Sequence, residues 1–295
     1  MNRRKANLIT WRIVLEPHLL ISLLYACLGT EIAFRSGLFS LPLFLIAALG
    51  AVSSQIAANT FDEFFDHRFG TDLMTVKTPY SGGGRIIFDG GLTLREAFNI
   101  ASIALILALI SGIYLSIVSG WGLVPLFIFG GVAGTFYSPF WQRNRLGELM
   151  LCVIGLIVMG AFFVQAHYYS FEAVYISVPC GILIANLVVM NEVPDAEADK
   201  ATGRKNVATM LGPENAVNVY LILATVIYAM IVAGALAGLL PLTILISLIS
   251  SPVIYSAYFY AHGHTRDMKR VVPALRNNIV GMYIFIVLLV VAYMI

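Results

Sequence analysis

Charge is what this sequence has least of. Of its 295 residues only 12% are Asp, Glu, Lys or Arg and 59% are apolar, whereas a soluble domain carries roughly 25% charged residues. With a mean hydropathy of +0.87, the chain has too few solvated side chains to cover a water-facing surface, which excludes an ordinary soluble protein. A basic excess is missing too: 18 Lys and Arg against 16 Asp and Glu leave a net charge of +2, so a nucleic-acid partner is not expected. Cysteine is sparse and odd in number. Cys27, Cys152 and Cys180 lie inside apolar runs without ligand spacing, which excludes a disulfide framework and reads as buried core thiols. The longest polar stretch, about 59–96, is shorter than an ordinary domain, so no appended soluble domain is expected. Arg3, Arg4 and Lys5 precede an apolar stretch, but Glu16, Pro17 and His18 interrupt it and no small-residue cleavage site stands out. The first span is expected to be retained.

Long hydrophobic runs, by contrast, fill the chain. A helix needs about 20 predominantly apolar residues to cross a bilayer, and nine such runs can be marked off at about 11–34, 39–58, 97–118, 121–140, 149–168, 173–190, 216–236, 239–260 and 278–295. The weakest boundary is the turn marked by Ala237, Gly238 and Pro241, where merging two runs would leave eight. The expected fold is all-α: a polytopic membrane protein of nine transmembrane helices, forming one domain over 1–295. Basic residues segregate with that count. Seventeen of the eighteen fall at the amino end or after an even-numbered run, and only Arg35 lies on the other side. Cytoplasmic loops collect Lys and Arg, so the amino terminus and the long polar loops are expected to be cytoplasmic, at a cell membrane.

The acids are few but patterned. After the second run stand Asn59, Asp62, Glu63, Asp66, Arg68, Gly70 and Asp72; after the sixth stand Asn191, Glu192, Asp195, Asp199, Gly203, Arg204 and Lys205. Both copies contain D-x-x-x-D-x-x-x-G, 133 residues apart, and the expected topology puts both on one membrane face. That repetition suggests two weakly related halves, about 1–140 and 141–295, around one site. Carboxylates four apart on a helix share a face about 5–6 Å apart, and their repulsion is unfavourable unless compensated. Magnesium, a hard cation shared between one or two carboxylates and substrate phosphates, removes the penalty. Asp62, Asp66, Asp195 and Asp199 are therefore the candidate metal ligands and catalytic residues, placed to hold Mg²⁺ against a diphosphate.

Other polar residues on that face suit a polyanion. Tyr137, Ser138 and Pro139 follow the fourth run with Arg143 and Arg145 just beyond, Arg68 lies in the first cluster, and Arg204 and Lys205 follow the second. Each basic residue taken singly also fits a headgroup anchor. The loop Ser81-Gly82-Gly83-Gly84-Arg85 lacks the strand context and the Lys-Ser/Thr of a P-loop, and reads as a segment that could cover a site. The five histidines show no ligand pattern beyond the neighbouring His262 and His264.

On these two acidic motifs and nine runs, the sequence resembles the UbiA superfamily of intramembrane prenyltransferases along nearly its whole length. The closest correspondence is Asn191-x-x-x-Asp195-x-x-x-Asp199 followed by Gly203-Arg204-Lys205. In the first motif Asn59 precedes Asp62 by three positions and Glu63 by four, so the ligand register there has two readings. Tyr137-Ser138-Pro139 with Arg143 is similar to the family's Tyr-Ser-x-Pro and following basic residue. Glu16-Pro17-His18 differs from the family's Arg-Pro-His and carries no role. The resemblance implies helices around a central cavity, with Mg²⁺ on the four aspartates neutralising the diphosphate of a prenyl donor, aided by Arg143 and Lys205. It further implies substrate contacts from Asn59, Arg68, Asp72, Tyr137, Ser138 and Asn191, and a water-poor pocket lined by Tyr137 and Phe136. The acceptor it implies is a small aromatic quinone precursor, with the extended first cluster and Asn191-Glu192 most like the menaquinone-type branch that uses dihydroxynaphthoate.

Other readings stay open at this point. Archaeal members of the superfamily prenylate glyceryl phosphate ethers. A cation-coupled transporter also places acids in membrane helices, but it predicts them near midspan, not at helix ends beside basic residues. A CDP-alcohol phosphotransferase would gather its acids in one contiguous motif. Partners expected are therefore a prenyl diphosphate, an aromatic or lipid acceptor and the bilayer, with no obligatory protein partner.

Overall fold

The computed structural model describes residues 17–75, 78–80 and 86–295, with only the backbone described for Pro17, His18 and Asp72. Every regular element among these residues is helical. The main helices are α1 (Pro17–Arg35), α2 (Leu41–Phe69), α3 (Leu94–Ser119), α4 (Val124–Thr135), α5 (Gly147–Ala166), α6 (Phe171–Ala201), α7 (Pro213–Leu236), α8 (Leu242–Ala261) and α9 (Met268–Met294). Seven of them, α2, α3 and α5–α9, are long and apolar enough to cross a bilayer. The expected nine crossings are thus not established. The fourth apolar run is split: the helical stretch Trp121–Thr135 ends at Phe136, and a π turn over Tyr137–Trp141 follows.

Local chemistry sets the helix ends. Thr93 and Glu96 form a capping box at the start of α3, and the Ser170 hydroxyl accepts from the Ala173 N–H at 3.0 Å at the start of α6, each filling an orphan backbone donor. Helix α2 stops at Gly70, whose left-handed φ of 75° lets its N–H return to the Asp66 and His67 carbonyls.

Packing pairs α2 with α3, α1 with α5, α6 with α7 and α8 with α9, and α9 returns against α1 to close the ring. The core is carried mostly by α1 and α5–α9, where Tyr25, Phe162, Ile176, Leu187, Tyr220 and Phe285 are buried. Two glycines bring α5 and α6 almost into backbone contact: a Cβ on Gly155 would stand 2.2 Å from the Ser177 carbonyl oxygen, and one on Gly181 2.3 Å from that of Cys152. Small residues allow such approach between helices in lipid, where packing replaces the hydrophobic drive. On α3 the isoleucines at 103, 106, 110 and 117 recur at helical spacing and are all exposed. In water each would forgo roughly 1.5–3 kcal/mol of burial, so this stripe is a lipid-facing surface, and the protein is an integral membrane protein.

Candidate active site

Both acidic clusters end on one cavity. The last turns of α2 carry Asn59, Asp62 and Asp66, the last turns of α6 carry Asn191, Asp195 and Asp199, and all six line the same cavity of about 1100 Å³. Below them its wall is apolar, including Leu109, Leu126, Phe127 and Ile157, and Tyr137 also lines it. Polar groups therefore collect at one end of a chamber otherwise suited to hydrocarbon.

Arg204 joins the two clusters. Its Nη1 donates to Asp199 Oδ1 at 3.2 Å, and its Nη2 forms a close ion pair with Asp66 Oδ1. The side chain lines the cavity and is nearly buried. Burial by itself would lower its pKa, but the carboxylates of Asp66, Asp62 and Asp199 outweigh burial and raise it well above the usual range, so the guanidinium is permanently charged. Asp66 also accepts from the Ser138 hydroxyl at 3.0 Å, and Asp199 from Asn206 Nδ2 at 2.7 Å. Asn206 is itself an N-cap, its Oδ1 accepting from the Thr209 N–H at 2.9 Å. Ser22 of α1 donates to Gln55 of α2, and Gln55 Nε2 donates to Asn59 Oδ1 at 2.8 Å, which orients the first cluster from the α1 side.

The remaining expected site residues lie differently. Lys205 is exposed and absent from the cavity wall, so the inward cation of that pair is Arg204. The physical reason is local. Gly203 turns the chain at φ 81°, and the Lys205 N–H bonds the Gln142 carbonyl at 2.7 Å while its side chain stays exposed. Arg68 is exposed, with its guanidinium 5.9 Å from the Phe64 ring centre, and does not reach the cavity wall. Arg143 stacks 3.9 Å over Phe69 with Nη1 beside Gly203. It is not a lining residue. Ser138 acts through Asp66 from a buried position. The Asp72 side chain and the loop 81–85 lie outside the described residues. Glu63, the other candidate in the first register, accepts from the backbone N–H groups of Ile86 at 2.5 Å and Ile87 at 3.3 Å, and so anchors the polar loop.

Residues that sequence reasoning missed are Gln55, Gln142, Glu192 and Asn206, all on the cavity wall. Glu192 was visible beside Asn191, but only helix geometry turns it inward. Among the described residues no group of three or more His, Cys, Asp or Glu converges as a preassembled metal cage. The donor set is nonetheless all oxygen, and buried Asn191 Oδ1 has no hydrogen-bond partner among the described residues. That fits Mg²⁺, which takes one or two carboxylates and leaves positions for water and phosphate.

A model of the UbiA prenyltransferase family matches residues 22–279. The chain belongs to that family. It is thus a UbiA-family prenyltransferase, and the transporter reading falls away. It is 28% identical over 236 residues to 1,4-dihydroxy-2-naphthoate octaprenyltransferase of Bacillus subtilis (strain 168), an alignment covering 78% of this chain and 74% of that one. Its fold is similar to the apo structure of a UbiA homolog from Aeropyrum pernix K1, with a TM-score of 0.71 at 21% identity over 93% of this chain and 97% of the other. It is similar also to a UbiA homolog from Archaeoglobus fulgidus bound to GPP and Mg²⁺, with a TM-score of 0.61 at 15% identity over 97% and 99%.

Proposed function

We propose that this UbiA-family protein transfers an isoprenyl chain from a prenyl diphosphate to 1,4-dihydroxy-2-naphthoate or a closely related aromatic acceptor, releasing diphosphate. The observation that carries the reading is the convergence of Asp62, Asp66, Asp195 and Asp199 on the polar end of one apolar cavity. The acceptor class is supported by the similarity to the Bacillus subtilis enzyme. In this reading the four aspartates, with the side-chain carbonyls of Asn59 and Asn191, would hold Mg²⁺. When bound, the ion supplies electrostatic stabilisation of the departing diphosphate.

The chain's own residues do the rest. Arg204 carries a permanent positive charge between the clusters and is available to the diphosphate once its carboxylates engage metal. The apolar wall accepts the prenyl tail and keeps water from the allylic carbon, which would otherwise be trapped as an alcohol. Tyr137 presents an aromatic ring where positive charge develops as the C–O bond breaks and its electron pair leaves on the diphosphate. The acceptor's electron-rich ring carbon then forms the new bond and gives up the substituent it carried, a proton or a carboxyl group lost as CO₂, which restores the aromatic ring.

The acidic end faces the cytoplasm, because the basic residues cluster on that side, and the host is a cell membrane. Incubating the purified protein with labelled geranyl or geranylgeranyl diphosphate, Mg²⁺ and a panel of acceptors tests the assignment. Prenylated naphthoate and free diphosphate are expected. Transfer only to a glyceryl phosphate ether, or no transfer at all, would overturn it.

A further inference from the structure

Two buried oxygens on the cavity wall are left without partners. Glu192 is 6% exposed and Gln142 is 7% exposed; both line the cavity, and Glu192 Oε2 and Gln142 Oε1 have no hydrogen-bond partner among the described residues. An unsatisfied buried polar atom costs roughly 1–3 kcal/mol, a penalty that a bound hydrogen-bond donor would remove. The surroundings fix both side chains. Glu148 stands beside the Glu192 carboxyl, and Glu148 Oε1 accepts from the Val207 N–H at 2.6 Å. Gln142 is held by its backbone, with its N–H on the Tyr137 carbonyl at 3.0 Å and its carbonyl on the Lys205 N–H at 2.7 Å. Its amide lies within hydrogen-bonding reach of the Tyr137 hydroxyl.

We infer that Glu192 and Gln142 recognise the acceptor by taking hydrogen bonds from its hydroxyl groups. The inference rests on the prenyltransferase reading above and adds the residues that select the acceptor. Position supports it. Glu192 precedes Asp195 by three residues on α6, so it lies about one turn further into the cavity than the Asp195 and Asp199 pair. The carbon under attack is the one bonded to the diphosphate, so the acceptor must bind beside the carboxylates and not along the prenyl tail. Chemistry supports it as well. Two acceptor oxygens suit O–H donors and repel anions, so a hydroxyaromatic edge fits here and a phosphate head does not. A site built to bond a hydroxyl also rejects the analogue that lacks it, because its own buried groups then stay unpaired.

The test uses the full-length protein in lipid nanodiscs with Mg²⁺ and geranylgeranyl diphosphate, comparing 1,4-dihydroxy-2-naphthoate with its O-methyl ethers. For Glu192→Leu and Gln142→Leu, the acceptor KM is expected to rise about tenfold, and the preference for hydroxyl over methoxy to fall by a similar factor. Prenyl diphosphate affinity, measured by direct binding, should move less than about twofold. A hydroxyl preference unchanged in both leucine variants overturns the inference while the parent's transfer activity leaves the functional reading standing. Should a leucine variant fail to fold, Glu192→Gln keeps the shape and exchanges an acceptor for a donor. It must still lower the preference at least about threefold, and no change there overturns the inference equally. A parent protein that binds geranylgeranyl diphosphate yet prenylates no hydroxyaromatic overturns both readings together.

Discussion

The two acidic helices carry the same D-x-x-x-D-x-x-x-G pattern in unlike settings. In the most apolar stretch of α6 72% of residues are buried, against 22% in α2. Helix α6 runs through the core, is closely approached by α5 at Gly155 and Gly181, and buries Asp199, which Arg204 and Asn206 also bond. Helix α2 lies between the cavity and the outer surface, chiefly against α3. Its carboxylates are oriented by polar contacts from elsewhere: Ser138 and Arg204 to Asp66, and Gln55 to Asn59. One motif thus has a packed scaffold behind its polar contacts, and the other leans on such contacts more heavily. The difference teaches that chemical symmetry between motifs need not imply mechanical symmetry.

The largest effects should leave that contrast invisible. Asp66→Asn and Asp199→Asn each remove a charge that the proposed function places at the diphosphate, and loss of comparable electrostatic groups costs roughly 10²–10³ in turnover. Diphosphate release from a labelled prenyl diphosphate is expected to fall by at least about that factor in both. A variant retaining full activity would strip that residue of its role. Next comes a substitution that separates the helices. Gly181→Ala forces a methyl into the Cys152 carbonyl, whereas a Cβ on Gly131, in the wall of the first half, meets nothing within 4 Å. Gly181→Ala should cost upwards of about 3 kcal/mol and show as loss of folded protein in detergent. Gly131→Ala, mid-helix in α4, should instead gain up to about 1 kcal/mol.

Much of this was legible in the sequence, and the reason is physical. With 12% charged and 59% apolar residues the chain lacks the solvated surface of an ordinary soluble domain, and the acids could be found because they stand where apolar runs end. Each of the nine apolar runs has a helical counterpart, and among the described residues seven helices meet the length and hydropathy expected of a crossing. What stayed hidden depends on direction, not identity. Arg204 and Lys205 are adjacent cations, and only the left-handed turn at Gly203 decides that Arg204 enters the cavity. Glu192 and Gln142 are unremarkable in sequence because their meaning lies in an absent partner. The first-motif register was ambiguous for a similar reason: Glu63 and Asp62 are neighbours, and the backbone N–H groups of Ile86 and Ile87 claim Glu63.

Arg204→Gln should expose the mechanical asymmetry. Without the guanidinium, Asp66 and Asp199 face each other uncompensated, and breaking a buried ion pair from one side costs roughly 3–5 kcal/mol. In metal-free buffer the melting temperature is expected to drop, and saturating Mg²⁺ should raise it more in the variant than in the parent. Hydrogen exchange should quicken at the end of α2 while the end of α6 stays protected. Equal loss of protection at both ends would refute the asymmetry.

The smallest expected effect is the sharpest. Ser138→Ala removes one hydrogen bond from Asp66, and Asn206→Ala removes one from Asp199, so the two changes are chemically matched at about 1 kcal/mol. They should diverge in what they perturb. Asp66 sits on the loosely packed helix, so without Ser138 its carboxylate becomes mobile, and the Mg²⁺ concentration for half-maximal activity should rise by roughly fivefold at nearly unchanged stability. Asp199 keeps its burial on α6 and its bond from Arg204 when Asn206 is removed. There the loss should fall on stability, through the N-cap that Asn206 also supplies to Val207–Leu211, by about 1 kcal/mol. Parallel titrations of Mg²⁺ and of denaturant on the two variants compare these outcomes directly. If both variants shift the metal response alike, scaffold and ligands hold the two motifs equally, and the distinction drawn between α2 and α6 has no functional consequence.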